Sequence, residues 1–106
     1  MSYRKKKLLP KIPMILEEIY TIIEKRKKQR LPNSYTASLF QEGLDRIIQK
    51  VGEEAVEVII AAKGRNKKRM TEEMADLYFS TLVLLSAKNI HVKRVFEELE
   101  KRRKKG

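Results

Sequence analysis

Apolar residues recur along most of this chain at the three- and four-residue spacing that is typical of amphipathic helices. The pattern predicts helices over about residues 14–29, 44–63, 71–88 and 92–103, with a short helix at 37–41. No segment shows the period of two that a half-buried strand requires. We therefore predict an all-α fold, an antiparallel bundle with four main helices per chain.

The two central helices carry more apolar surface than one neighbour can cover. In the helix 44–63, one stripe alternates four and three apart: Leu44, Ile48, Val51, Ala55, Val58 and Ala62. Val56 and Ile60 lie on another side of the same helix, and the following helix is nearly all apolar after Asp76. Such helices must be covered all round. We expect a second copy to complete the bundle as a homodimer, with the helix that contains Leu82 as one candidate for the contact.

Local signals set the expected boundaries. Pro10 and Pro13 interrupt the basic N-terminal stretch, so residues 1–13 are predicted to form a flexible arm, followed by one domain at 14–103 and a basic tail at 104–106. Thr71 is a candidate cap for the third long helix. Asn89 suits the position just past that helix's C-terminal end.

Length and charge narrow the possible functions. A chain of 106 residues with a formal charge of +11 is one domain by length, and its partners are expected to be anions: nucleic acid, an acidic membrane surface or a polyphosphate. The absence of cysteine excludes disulfides and thiolate chemistry, and a single histidine makes a histidine metal site an unfavoured hypothesis. No stretch approaches the length of a membrane span, so we expect a cytoplasmic protein without a membrane partner.

Two acidic pairs stand within the apolar pattern of consecutive helices. Glu54 and Glu57 are three apart in one helix, and Glu73 and Asp76 are three apart in the next. Residues at this spacing are neighbours on one side of a helix. If the helices run antiparallel, four carboxylates face one another, and a hard divalent cation such as Mg²⁺ would relieve their repulsion. The alternative is that these are solvated glutamates, with Glu73 and its neighbour Glu72 in a helix first turn where the dipole favours acids.

Several motifs together carry a family resemblance that spans about residues 14–103. They read Ser34-Tyr35-Thr36-Ala37, then Lys50-Val51-Gly52-Glu53-Glu54-Ala55-Val56-Glu57, then Glu72-Glu73-Met74-Ala75-Asp76. In this order and with short gaps, the chain resembles phosphoribosyl-ATP diphosphatase of histidine biosynthesis, within the all-α nucleotide pyrophosphatase superfamily.

The resemblance implies an activity and its residues. Members hydrolyse the bond between the α and β phosphates of 1-(5-phosphoribosyl)-ATP, need Mg²⁺ and form helical dimers. Carried over by motif, the metal ligands would be Glu54, Glu57, Glu73 and Asp76. Glu53 belongs to the same motif and is the candidate for positioning or deprotonating the attacking water.

Substrate contacts are expected from basic and hydroxyl side chains near these motifs. Lys50 and Lys63 are the best-placed lysines for phosphate, and Ser34, Tyr35 and Thr36 are candidates for phosphate or ribose. Helix capping is an equally good explanation for Ser34 and Thr36. The basic stretch 65–69 either closes over substrate or is a solvated loop, and we favour the loop.

The chain also departs from the family pattern. Where many members have a Tyr-His pair after the aspartate, this chain has Phe79-Ser80, so any role of that histidine is absent or moved. Many members are fused to a cyclohydrolase, and here a separate cyclohydrolase is expected to act next.

Two other functions compete with this interpretation. One is a house-cleaning pyrophosphatase that uses the same metal site on non-canonical NTPs. The other is a basic helical nucleic-acid-binding module, but the few aromatic residues lie mainly in apolar stretches and no base-reading motif is present, so nucleic acid is not expected as the main partner.

Overall fold

The structure consists of five helices joined by short connections. The computed structural model describes the backbone of residues 3–106 and the side chains of residues 14–106. The helices are α1 (Tyr3–Gln29), α2 (Tyr35–Glu42), α3 (Leu44–Lys63), α4 (Lys67–Ala87) and α5 (Val92–Lys105). No strand occurs within residues 3–106, so the predicted all-α class is confirmed.

Most predicted helix boundaries agree with the structure to within two residues, but α1 and α4 begin at least four residues earlier than predicted. α4 begins at Lys67, because the side chain of Asn66, and not that of Thr71, accepts the N–H of Arg69 at 3.0 Å and caps the helix. The predicted cap at Thr71 is therefore wrong. Three consecutive basic residues at a helix N-terminus oppose the helix dipole, which is why the pattern favoured a loop there. Asn89 does lie just past the C-terminal end of α4, with a left-handed φ of 58°.

α1 begins at Tyr3, so the prediction that this helix begins only at about residue 14, after Pro10 and Pro13, is wrong. Each proline withholds one N–H from the helix, but the Lys, Arg and Leu residues that surround them favour it. Residues 1–2 of the predicted arm lie outside the described residues. The domain limits at 14–103 stay a prediction.

The core lies where α1, α2 and the C-terminal half of α4 meet. Its buried side chains are Tyr20, Ile23, Leu39, Phe40, Ile47, Leu82, Val83 and Val92. Leu82 is only 4% exposed, so α1 and α5 of the same chain cover the apolar run of α4. The interpretation of Leu82 as a subunit contact is therefore wrong. Within residues 3–106, no helix is long and apolar enough to cross a membrane.

α3 and α4 pack along each other over much of their length, because the loop that joins them covers only residues 64–66. The inward stripe of α3 differs in phase from the predicted one: Leu44 and Ile48 are exposed, whereas Ile47 and Ala61 are buried. The inward stripe consists of buried or half-buried positions that alternate four and three apart: Ile47, Val51, Glu54, Val58 and Ala61. Glu54 thus occupies a position of the inward stripe, where an apolar residue is the usual occupant.

Candidate active site

Three carboxylates from α3 and α4 converge at the packed face of these two helices. One oxygen each from Glu54, Glu73 and Asp76 lie within 4.8 Å of one another. Glu73 and Asp76 are one turn apart on α4, and Glu54 reaches them from α3 because it points inward. The predicted convergence of the two acidic motifs is therefore observed for three of the four proposed ligands.

Partial burial of these carboxylates increases their mutual repulsion unless a positive charge lies nearby. The side chain of Glu54 is 13% exposed and that of Glu73 is 19% exposed, whereas Asp76 is exposed. The suggestion that Glu73 merely benefits from a helix first turn does not hold, because the first turn of α4 ends before Thr71 and contains no acid. Like charges held this closely repel, so the arrangement favours a bound cation.

Oxygen is the donor type that hard divalent cations prefer. Because metal–oxygen bonds to such ions are about 2.0–2.6 Å long, oxygens that share one ion lie at most about 4–5 Å apart. The observed 4.8 Å separation is therefore compatible with a common ion after small rotamer changes. The three carboxylates fit a magnesium site on their chemistry, and their spacing comes within reach of one ion after those rotamer changes.

Lys50 is the cation closest to Glu54. Its Nζ lies 3.3 Å from the Glu54 carboxylate, one turn away on α3. The hydrogen bond to Glu54 is the main cause that raises the pKa of Lys50, and partial burial opposes it. The hydroxyl of Tyr35 also raises this pKa, so Tyr35 of α2 lies beside Lys50 at the edge of the carboxylate cluster.

The fourth proposed ligand, Glu57, lies outside the cluster of three carboxylates. Its carboxylate lies 3.4 Å from the guanidinium of Arg69, which is also 4.0 Å from Glu73. Arg69 therefore spans the two acidic motifs from the first turn of α4. The sequence interpretation favoured a solvated loop at 65–69 and missed this residue, because the start of α4 at Lys67 is what brings Arg69 over α3.

Two further predicted residues lie apart from the carboxylates. Glu53 pairs with Arg46 at 3.4 Å on a solvent-exposed side of α3. Lys63 is the last residue of α3, about 13 Å along the helix axis from Glu54 at 1.5 Å per residue. The structure does not bring either side chain into the cluster.

The hydroxyl motif begins α2 next to this site. The Ser34 hydroxyl accepts the N–H of Ala37 at 3.1 Å, so its role as a helix cap is confirmed. Tyr35 is 57% exposed, and Thr36 is half-buried. Of the three, Tyr35 presents the most accessible side chain on the side of Lys50.

A second polar cluster lies at the C-terminal end of α4, where α1 meets the turn between α4 and α5. Ser86, which is fully buried, donates its hydroxyl to Glu24, and Lys27 donates to the Ser86 carbonyl at 2.8 Å. Burial alone would raise the pKa of Glu24, but the hydrogen bonds from Ser86 and Lys27 lower it below its usual value. Because these partners are about sixty residues apart in sequence, local patterns gave no signal of the cluster.

Tyr20 completes this cluster. Its hydroxyl donates to the Ile90 carbonyl at 2.7 Å, and its ring lies 4.8 Å from that of His91. Burial, with a further effect of the Glu24 charge, raises the pKa of Tyr20 to about 12. The cluster ties α1 to the turn after α4 and borders an open cavity of about 320 Å³, and none of Glu54, Glu73 and Asp76 lines this cavity.

Comparison with known proteins adds an independent line of evidence. A family model described as phosphoribosyl-ATP pyrophosphohydrolase matches residues 16–103. The phosphoribosyl-ATP pyrophosphatase of Clostridium acetobutylicum is 47% identical over 91 residues, which covers 86% of this chain and 83% of that protein. The protein of the same description from Methanocella arvoryzae is 45% identical, covering 85% of this chain and 97% of its own length. A third, from Pelobacter propionicus, is 49% identical over 88 residues, or 83% of this chain and 82% of that protein.

Proposed function

The chain belongs to the phosphoribosyl-ATP pyrophosphohydrolase family, and on that premise we propose that it is a Mg²⁺-dependent hydrolase of 1-(5-phosphoribosyl)-ATP. It would cleave the anhydride between the α and β phosphates to give 1-(5-phosphoribosyl)-AMP and pyrophosphate, the second step of histidine biosynthesis. The observation that carries the proposal is the convergence of Glu54, Glu73 and Asp76 from two helices.

These three side chains are the proposed holders of the cation, with Glu57 as a fourth after a change of rotamer. Bound Mg²⁺ would neutralise phosphate charge and lower the pKa of a coordinated water. Packing between α3 and α4 leaves the side chains of Glu54 and Glu73 only 13% and 19% exposed, so both are restricted before any ligand arrives. That preorganisation reduces the entropy lost on binding.

Lys50 and Tyr35 are the proposed contacts to the phosphate chain. The Lys50 ammonium is a mobile point charge that can pass from Glu54 to a phosphate oxygen without leaving its position on α3. Tyr35 offers an exposed hydroxyl on the same side. Ser34, Thr36 and Lys63 stay predicted substrate contacts.

Glu53 stays the proposed residue for positioning or deprotonating the attacking water. For this role its carboxylate must exchange Arg46 for the water, because the two side chains form an ion pair. A Glu53→Gln variant tests the assignment, since it removes the basic carboxylate while the amide still accepts a hydrogen bond from Arg46.

The test measures pyrophosphate release from phosphoribosyl-ATP with excess Mg²⁺ or with a chelator. We expect turnover only with Mg²⁺, and a loss on the order of a hundredfold or more in Glu54→Gln. Glu72→Gln is the matched control, because Glu72 is exposed on α4 and outside the cluster. Unchanged activity in Glu54→Gln would refute the site.

The same assay decides between the two enzymatic interpretations. The proposed function predicts that phosphoribosyl-ATP is turned over well ahead of any member of a panel of dNTPs and non-canonical NTPs. A preference for one of those nucleotides would instead assign the site to nucleotide house-cleaning.

The second proposal within this function is the homodimer. α3 carries a further apolar face, opposite its inward stripe, on which Ile48, Val56, Ile59 and Ile60 are 49–61% exposed. We propose that a second copy of the chain covers this face of α3. Leu82, the candidate contact named from the sequence, is buried within the chain. Burying aliphatic side chains of this size contributes about 1.5–3 kcal/mol each when burial is complete.

Light scattering after size exclusion tests the dimer. Ile60→Glu should convert the dimer to a monomer with unchanged helix content. Leu31→Glu, which changes a similarly exposed side chain in the linker before α2, should leave the mass unchanged. A dimer that survives Ile60→Glu would contradict the assignment of this face.

A further inference from the structure

Arg69 is the cation that connects the acidic motifs of α3 and α4. Its guanidinium lies 3.4 Å from a Glu57 oxygen and 4.0 Å from a Glu73 oxygen. Among residues 14–106, Arg69 is the only cationic partner of either carboxylate. Glu57 thereby points to Arg69 and lies outside the group formed by Glu54, Glu73 and Asp76.

We propose that Arg69 is a tethered competitor of the divalent cation, which must displace this guanidinium from Glu57 and Glu73 before all four carboxylates can converge. The proposal rests on the cation site of the proposed function. It assigns Arg69 as a positioning residue that sets the affinity of the site, and not as a metal ligand.

The physical basis is charge balance. The guanidinium and a divalent cation are both positive and would bind the same two carboxylates, so each lowers the affinity of those carboxylates for the other. The position of Arg69 in the first turn of α4 holds the guanidinium beside Glu73, one turn further along the same helix. Its half-exposed side chain means that solvent screens each pair, and the penalty on cation affinity is moderate.

The same pairing also compensates the carboxylates when no divalent cation is bound in solution. The contact links α3 to α4 and offsets repulsion between Glu57 and the acids on α4. Either Arg69 or a bound divalent cation can therefore offset the carboxylate charges. Their contributions to the free energy of unfolding should not add.

Calorimetric titration of Mg²⁺ into the protein without substrate tests the competition apart from turnover. Arg69→Gln should bind Mg²⁺ about three- to tenfold more tightly than the wild-type chain. Arg69→Lys, which keeps the charge, should remain close to wild type. Lys68→Gln is the matched control: it removes the same charge from the adjacent position, where no ion pair forms among residues 14–106, and should change the affinity by less than about twofold.

Thermal unfolding provides the second readout. With a chelator, Arg69→Gln should melt below wild type, and with saturating Mg²⁺ the difference should disappear. An equal loss of stability in both conditions, or a Mg²⁺ affinity no higher than that of Lys68→Gln, would overturn the role of Arg69 and leave the proposed function intact. Absence of any Mg²⁺ heat in the wild-type chain would overturn the cation site itself.

Discussion

The convergence of three carboxylates predicts that neutralising one of them stabilises the protein in a chelator. Asp76→Asn is the cleanest such change, because within residues 14–106 Asp76 forms no ion pair that the substitution would break. It removes two repulsive pairs, to Glu54 and to Glu73, with oxygens within 4.8 Å. At that separation one pair costs about 0.9 kcal/mol in water and about 3.5 kcal/mol at an effective dielectric constant of 20.

The expected gain lies near the lower value. Asp76 is exposed, so most of each interaction is screened, and Lys50 and Arg69 already offset part of the negative charge. We therefore expect about 1 kcal/mol of added stability with a chelator. For a domain of this size that raises Tm by roughly 4–8 °C.

Magnesium should reverse the order of stability. A ligand that binds only the folded state at a hundred times its Kd adds about 2.7 kcal/mol, and Asp76→Asn should lose most of this gain. Activity should fall together with that loss. The measurement is a pair of melting curves by circular dichroism, with a chelator and with excess Mg²⁺, on wild type and variant.

Glu72→Gln again serves as the control and should shift Tm little in either condition. If Asp76→Asn melted below wild type in the chelator, repulsion among these carboxylates would not be a significant cost. If both proteins gained equally from Mg²⁺, Asp76 would not contribute to the cation site.

The remaining predictions concern the core and the connections. Tyr20→Phe should cost about 1 kcal/mol near neutral pH, because the Ile90 carbonyl loses its donor. Because folding raises the pKa of Tyr20 from 10.0 to about 12, its stabilising effect is complete below pH 10 and is lost as the pH rises through 12; the gap between variant and wild type in urea melts should shrink over that window. Leu82→Ala should lower the free energy of unfolding by about 2–5 kcal/mol, as expected for a core leucine, and a loss below about 1 kcal/mol would contradict its placement. Gly43→Ala should cost about 1 kcal/mol or more, because φ is 103° there while a Cβ meets nothing within 4 Å, so a neutral result would refute backbone strain as the cause.

The bounds of a helix were predictable where local sequence signals alone determine them. The bounds of α3 agree at both ends, because Gly43 and Gly64 flank an uninterrupted run of helix formers. The start of α4 was not predictable from charge, since the Asn66 cap outweighs three basic residues in the first turn. The start of α1 was missed because Pro10 and Pro13 were interpreted as helix breakers. The helix-favouring residues around them were not considered.

The site divides in a similar way. Spacing within each helix predicted that the pairs Glu54/Glu57 and Glu73/Asp76 could face one another, and three of these four carboxylates do converge. Arg69 was missed as the partner of Glu57 because residues 65–69 were predicted to be a loop, whereas α4 begins at Lys67. The cluster of Glu24 and Ser86 joins residues far apart in sequence, so only the packed chain brings it together.

The junction at Gly43 has a consequence for motion. Gly43 is both the C-cap of α2 and the N-cap of α3, so no loop separates the two helices. Because no loop separates α2 from α3 and the two helices also pack against each other, we expect Tyr35 and the glutamates of α3 to move together. Backbone motion of this unit relative to α1 and α4 is therefore confined to the connections at 30–34 and 64–66.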